Sequence, residues 1–209
     1  MMSEKVILFD MDGVIADSWQ AFYQVFNEYL DNAGFADLAS EVFLLEMFEG
    51  SFYQNLLSRI HPYTVSQADM LQLSVALTSA IKTCHPFPGI KKALQQLSQH
   101  YPLYLITSNF NAAAKAFLEQ HQLAVFQDIL GLDTHLEKAA KIARIQSEYP
   151  EHSLLFVADT LGDILEARNT KAITIATSWG WHTRKTLQRG TPDTILDSPD
   201  ELLEYIIHF

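Results

Sequence analysis

Cysteine is almost missing from this chain. Cys84 stands alone among 209 residues, which excludes an internal disulfide and leads us to expect a reducing, cytoplasmic compartment. The eight histidines are scattered, with no H-x-x-x-H or Cys/His cluster, so no zinc site is expected. Positive charge is also short. Lys and Arg total 14 against 25 Asp and Glu, a formal net charge of −11, and no basic face is visible, so nucleic acid is not expected as a partner. No apolar run reaches the ~18 residues that suggest a bilayer span, so no membrane contact is expected. A strand pattern begins almost at the first residue with no small-residue cleavage site before it, so no signal peptide is read there. Repeats and low-complexity stretches are lacking too. What the chain does have is apolar material: 48 % hydrophobic residues, 11 % of the chain aromatic, ample for a packed core.

That apolar material is organised. Four short runs rich in Val, Ile, Leu and Phe, at 6–9, 103–106, 154–158 and 173–176, each end at a polar residue. Runs without alternation suit strands buried on both faces. Amphipathic stretches at 91–100, 112–122, 138–149 and 161–170 read as helices. The alternation predicts an α/β fold with a parallel sheet. Short strands are predicted at 128–130 and at 194–196, the latter an edge strand, before a last helix at 200–207. From 19 to 84 the pattern is helical throughout, with helices predicted at 19–33, 40–48, 52–60 and 66–84. Pro86 and Pro88 then stiffen the return to the sheet. The division expected is a core formed by residues 1–16 and 86–209, with residues 17–85 as a helical insertion after the first strand.

Asp10 is the first polar residue after the run 6–9. Ligands of open parallel sheets bind outside the carboxyl ends of the strands, so its side chain is expected in that crevice. Asp12 follows past a turn that Gly13 allows to be sharp. One carboxylate can attack phosphorus; a second can protonate the leaving oxygen and then activate water. A helix cap and a solvated side chain explain an isolated D-x-D equally well, but the neighbouring strand ends point the other way. Thr107 and Ser108 follow the run 103–106 and suit phosphate oxygens, or a helix N-cap. Asp159 and Asp163, four residues apart on the first turn of a helix, face one crevice. They suit Mg²⁺, or a cap that complements the helix dipole. Such a cluster needs a counter-charge, and Lys138 or Lys141 is placed to deliver it; spacing does not choose between them.

In FDMDGVIADS, LITSN, Lys138 and VADTLGDILEA, taken in order, the chain resembles the haloacid dehalogenase superfamily of phosphatases and phosphomutases. The resemblance implies a doubly wound, parallel Rossmann-like sheet with a small all-helical cap inserted after strand 1. It implies Asp10 as nucleophile and Asp12 as general acid/base. Thr107 would bind the transferring phosphoryl group, with Ser108 and Asn109 adding donors. Lys138 would bridge the phosphate and the nucleophile. Mg²⁺ would be held by Asp159, the Asp10 carboxylate and the Asp12 backbone carbonyl, with Asp163 holding a metal-bound water or orienting Lys138. The chain departs from the family pattern in Ala139 where proline often follows the lysine, in Ala158 where glycine often precedes the metal Asp, and in Asn109 where phosphoglycolate phosphatases often have lysine.

The expected activity is therefore Mg²⁺-dependent hydrolysis of a small soluble phosphomonoester through an aspartyl-phosphate, phosphoglycolate-phosphatase-like in its tail TSWGWHTRKTL. A phosphomutase, or a non-catalytic binding protein that keeps the fold, are the alternatives. A monomer is compatible with the sequence. Trp179 and Trp181 are read either as a wall facing the cap or as core, His182 and Arg184 as surface residues or as candidates for touching substrate, with the surface reading preferred, and the loop 48–51 as a candidate for reaching the site or as an ordinary turn. Nothing in the sequence selects a sugar, a nucleotide or glycolate.

Overall fold

The structure is a computed structural model that describes residues 5–209. The start of the predicted core segment, residues 1–4, lies outside the described residues, as does the start of the stretch read as lacking a signal peptide. Six parallel strands form the main sheet: β1 (Lys5–Phe9), β4 (Leu103–Ile106), β5 (Asp128–Leu130), β6 (Ser153–Ala158), β7 (Ile173–Thr177) and β8 (Thr194–Leu196). Their order across the sheet is β5-β4-β1-β6-β7-β8. The order reverses beside β1, and a crevice opens there beyond the carboxyl ends of the strands. The expected α/β, doubly wound sheet is present.

The unbroken apolar runs are explained by burial on both faces. Ile7 and Phe9 of β1 join Leu103, Leu105, Leu155 and Val157 in one cluster. Val6 and Leu8 join Tyr104, Ile106, Leu154 and Phe156 in the other. The first face is covered by α5 (Ile90–Leu97), α6 (Asn111–Gln120) and α10 (Pro199–His208), through Leu94, Phe117 and Ile206 among others. The second is covered by α7 (Lys138–Glu148) and α8 (Leu161–Ala167), through Ile142, Ile145 and Ala167. Helix α8 stops short of its amphipathic pattern because the Thr170 hydroxyl donates to the Ala167 carbonyl at 2.6 Å, supplying a partner that another helical turn would have provided.

Four helices occupy the segment after β1: α1 (Trp19–Asn32), α2 (Glu41–Met47), α3 (Phe52–Ile60) and α4 (Gln67–Ala80). They close on a cluster of their own that includes Phe26, Leu30, Leu44, Leu56 and Leu73. Helix α4 starts at a capping box, with the Asp69 N–H donating to Ser66 Oγ and the Ser66 N–H to Asp69 Oδ2. The single helix expected at 66–84 instead tightens into a 3-10 turn at Ile81–Thr83, because Pro86 demands extended backbone just ahead of it. Two features carry no local pattern and were not anticipated. One is an antiparallel ribbon, β2 (Ala16–Asp17) with β3 (His85–Pro86), at the two ends of the helical segment. The other is the short helix α9 (Arg184–Gln188). Among the described residues no helix is long and apolar enough to cross a membrane.

Candidate active site

The carboxyl ends of β1, β4 and β6 bring the candidate residues to one crevice. Asp10 leaves β1 still held to the sheet, its N–H donating to the Val157 carbonyl at 2.9 Å. The Lys138 ammonium lies 2.9 Å from Asp10 Oδ2 and 2.8 Å from Asp163 Oδ1, with all three side chains almost wholly buried. Lys138 begins α7, and that helix start is secured by Glu166 of α8, whose Oε2 accepts from the Lys138 N–H at 2.7 Å. Glu166 was not among the expected residues, because nothing in local spacing reveals that one helix caps another.

Lys141 also turns inward. Its ammonium donates to the Thr107 carbonyl at 2.8 Å, behind the loop that follows β4. Position separates the two lysines: Lys138 meets the carboxylates and Lys141 braces the loop. Their electrostatics diverge as well. Burial acts against the charge of Lys138, but Asp10 and Asp163 outweigh it and hold the ammonium above the ordinary lysine value. Burial pushes Lys141 down to about 8, with repulsion from Lys138 adding to it.

Asp12 sits apart from this knot. Its Oδ1 accepts from the Ser18 hydroxyl at 2.6 Å and its Oδ2 from the Asn109 side-chain amide at 3.1 Å. Burial holds its carboxyl above the usual range, against those two hydrogen bonds. Asn109 in turn donates its N–H to Thr107 Oγ1 at 3.0 Å, and Thr107, Ser108 and Asn109 all line the crevice.

Asp159 is completely buried beside them, its Oδ2 accepting from the Trp181 N–H at 2.7 Å. Burial, then the charge of Asp10, raises its carboxyl well above the ordinary value. Space for it depends on glycine: a Cβ at Gly13, whose φ is +78°, would collide with the Asp159 carboxylate, as would one at Gly180. Asp10, Asp159 and Asp163 each offer a ligand oxygen within 4.8 Å of the others. Asp159 Oδ1 and Asp163 Oδ2 are buried with no hydrogen-bond partner among the described residues. Clustered carboxylates with buried, unpartnered oxygens are what a hard divalent cation satisfies, so the donor set fits Mg²⁺.

The helical segment forms the opposite wall. Phe22, Phe48, Phe52, Tyr53, Leu77 and Trp181 line it. The loop 48–51 does reach the site: Gly50 and Ser51 line it, and the Gly162 N–H of α8 donates to the Phe48 carbonyl at 2.8 Å. The two tryptophans divide the expected roles. Trp179 packs on the sheet core and donates to the Val14 carbonyl. Trp181 joins the wall, its ring 5.1 Å from Phe22 and 4.8 Å from Phe48. His182 is a correction, being buried where a surface residue was expected. Its Nδ1 accepts from the Leu161 N–H and its Nε2 meets the Leu45 carbonyl of α2, so it clips the helical segment to α8. Arg184 lies at the surface, as expected, and pairs with Asp197.

Residues 7–177 match the family model described as haloacid dehalogenase-like hydrolase. This chain belongs to that family. It is 25 % identical over 207 residues to a phosphoglycolate phosphatase of Synechococcus elongatus, covering 97 % of each chain. To a phosphoglycolate phosphatase of Vibrio cholerae it is 27 % identical over 225 residues, covering 99 % of each. A solved haloacid dehalogenase-like hydrolase of Streptococcus pneumoniae superposes with a TM-score of 0.81 at 26 % identity, over 99 % of this chain and all of that one. The chain is therefore a hydrolase of this family, with the sheet, the strand-end acidic cluster and the helical wall described above.

Proposed function

We propose that this hydrolase is a phosphatase that cleaves a small phosphomonoester through an aspartyl-phosphate on Asp10, with Mg²⁺ as cofactor. The observation that carries the reading is the division of labour among the carboxylates. Asp10, Asp159 and Asp163 converge around Lys138, whereas Asp12 is held aside by Ser18 and Asn109. A nucleophile among counter-charges and a separate proton carrier are the two parts that the reaction needs.

Mg²⁺ would be held by Asp10, Asp159 and Asp163, with the Asp12 backbone carbonyl, and when bound it supplies positive charge beside the phosphoryl oxygens. The residues do the rest. Thr107, Ser108 and Asn109 receive the phosphoryl oxygens, and Lys138 orients Asp10 while opposing the negative charge gathered there. An Asp10 carboxylate oxygen attacks phosphorus as the ester P–O bond breaks, and Asp12 gives its proton to the departing alkoxide. Water then attacks the phosphorus of the aspartyl-phosphate. Asp12 takes a proton from that water, and Asp10 is released together with inorganic phosphate. Burial raises the Asp12 carboxyl above the usual range, which favours the protonated form that the first step needs.

Residues 17–85 are read as the cap over this site, and the single cysteine supports a cytoplasmic location. Phosphate release from an aryl phosphate with Mg²⁺ tests the assignment. Asp10→Asn should lower kcat by about 10⁴-fold or more, as loss of a covalent nucleophile does, and equal rates for variant and wild type would overturn it.

A further inference from the structure

Given the phosphatase reading, on which this inference rests, the crevice wall bears on which phosphoester is cleaved. Away from the carboxylates the lining is mostly apolar and aromatic, with Ser51, Tyr53 and Thr160 as its uncharged polar members. Phe22, Phe48, Phe52 and Trp181 form a continuous set of rings, with centroid separations of 5.3 Å for Phe22–Phe48, 4.5 Å for Phe48–Phe52 and 4.8 Å for Phe48–Trp181. The charged side chains that line the space are Asp10, Asp12, Asp163 and Glu166 against one cation, Lys138. That cation is already committed at 2.9 Å to Asp10 and at 2.8 Å to Asp163. The other nearby cations are engaged elsewhere: Lys141 braces the far side of Thr107, and Arg189 is forked onto Glu49 at the outer rim.

We infer that the natural substrate is a phosphomonoester whose alcohol portion is uncharged and apolar, an aryl or branched alkyl group, rather than one that carries a carboxylate. An anionic leaving group would be stripped of water against rings, with no cationic side chain of that wall to replace its hydration. An apolar group gains by covering the same rings. The inference separates this chain from the substrate in its relatives' names, because phosphoglycolate carries a second, carboxylate charge on the part that this wall would face.

The test compares three alkyl phosphates, so that leaving-group chemistry stays similar: benzyl phosphate, ethyl phosphate and 2-phosphoglycolate, with Mg²⁺ and the wild-type chain. Expected is kcat/KM in that order, with benzyl phosphate ahead of 2-phosphoglycolate by about tenfold or more, the scale on which an apolar pocket discriminates. Leu136, at the mouth and 42 % exposed, can be replaced without opening a core cavity. Leu136→Arg should raise 2-phosphoglycolate relative to benzyl phosphate by about tenfold, the result of supplying the missing counter-ion. A wild type that prefers 2-phosphoglycolate, or that treats benzyl and ethyl phosphate alike, overturns the inference and leaves the phosphatase reading standing. Absence of Asp10-dependent phosphate release from all three overturns both.

Discussion

The two sides of the crevice are built on different principles. The sheet side is charged and locally determined: Asp10, Thr107 and Asp159 each follow a strand directly, so the end of the strand fixes where each side chain emerges. The helical side is apolar and collectively determined: Phe22, Phe48 and Phe52 come from different parts of the helical segment and are held chiefly by one another. The first side concentrates charge at a point and pushes the carboxyls of Asp10, Asp12 and Asp159 upward through burial. The second offers surface and almost no charge. On the proposed reading, chemistry would rest on a few positions fixed by strand ends, and selectivity on an area supplied by many rings together.

The contrast is broken most severely at Lys138. Lys138→Ala leaves Asp10 and Asp163 buried and unopposed, and should destabilise the metal-free protein by about 3–5 kcal/mol, measured by urea unfolding in EDTA. If the sides are independent, the benzyl-to-ethyl preference of whatever activity survives stays as in wild type. Gly162→Ala strikes the join instead. A Cβ there would collide with the Gly50 carbonyl, so the loop 48–51 must lift from α8. Overpacking of this kind should cost about 1–3 kcal/mol in the same unfolding assay. It should raise KM for benzyl phosphate more than it lowers kcat, and an unchanged KM would show that the loop has no part in the wall.

The smallest effect sharpens the difference between the two lysines. Lys141 is held down to about 8, against an ordinary 10.5. Between those values the unfolded chain binds the proton more readily than the folded one, so this group makes stability rise with pH across the window. Below about 8 both states carry the charge, and its burial is a standing penalty. Lys141→Met should therefore gain stability relative to wild type at pH 7 and lose that advantage by pH 10, less whatever the abandoned Thr107 carbonyl costs. A pH-independent difference between the two proteins would show that Lys141 titrates normally.

How much of this was legible follows from the same division. The runs at 103–106, 128–130 and 194–196 are strands with the boundaries read from the sequence; the first is buried on both faces and its composition shows it, while the other two are half-buried edge strands marked only by short apolar stretches between polar breaks. Asp10 and Asp159 were legible as the first polar break after such a run and Asp163 as one helical turn beyond, whereas Asp12 was legible only as the second Asp of a D-x-D before a glycine. Lys138 and Lys141 could not be separated, since three residues along a helix share a face. What distinguishes them is depth: the first meets the strand-end carboxylates, the second lies one turn further and meets the back of the Thr107 loop. Glu166, His182 and the pairing of Ala16 with Pro86 were illegible for one reason. Each bonds to a partner far away in sequence, and neither residue of the pair carries a mark of the other.

That last pairing has a consequence for how such a chain can change over time. Ala16 faces Pro86 and Asp17 faces His85, so everything between leaves and returns at one doorway. Seen from the sheet, the segment is the tip of a hairpin, and closing a loop twice as long costs only about 0.6 kcal/mol more. The ribbon therefore acts as a socket. The register of β1 against β4 and β6, and with it the place of Asp10, is set by strand pairing outside that doorway. A lineage carrying this doorway can trial new appetites without relearning the reaction.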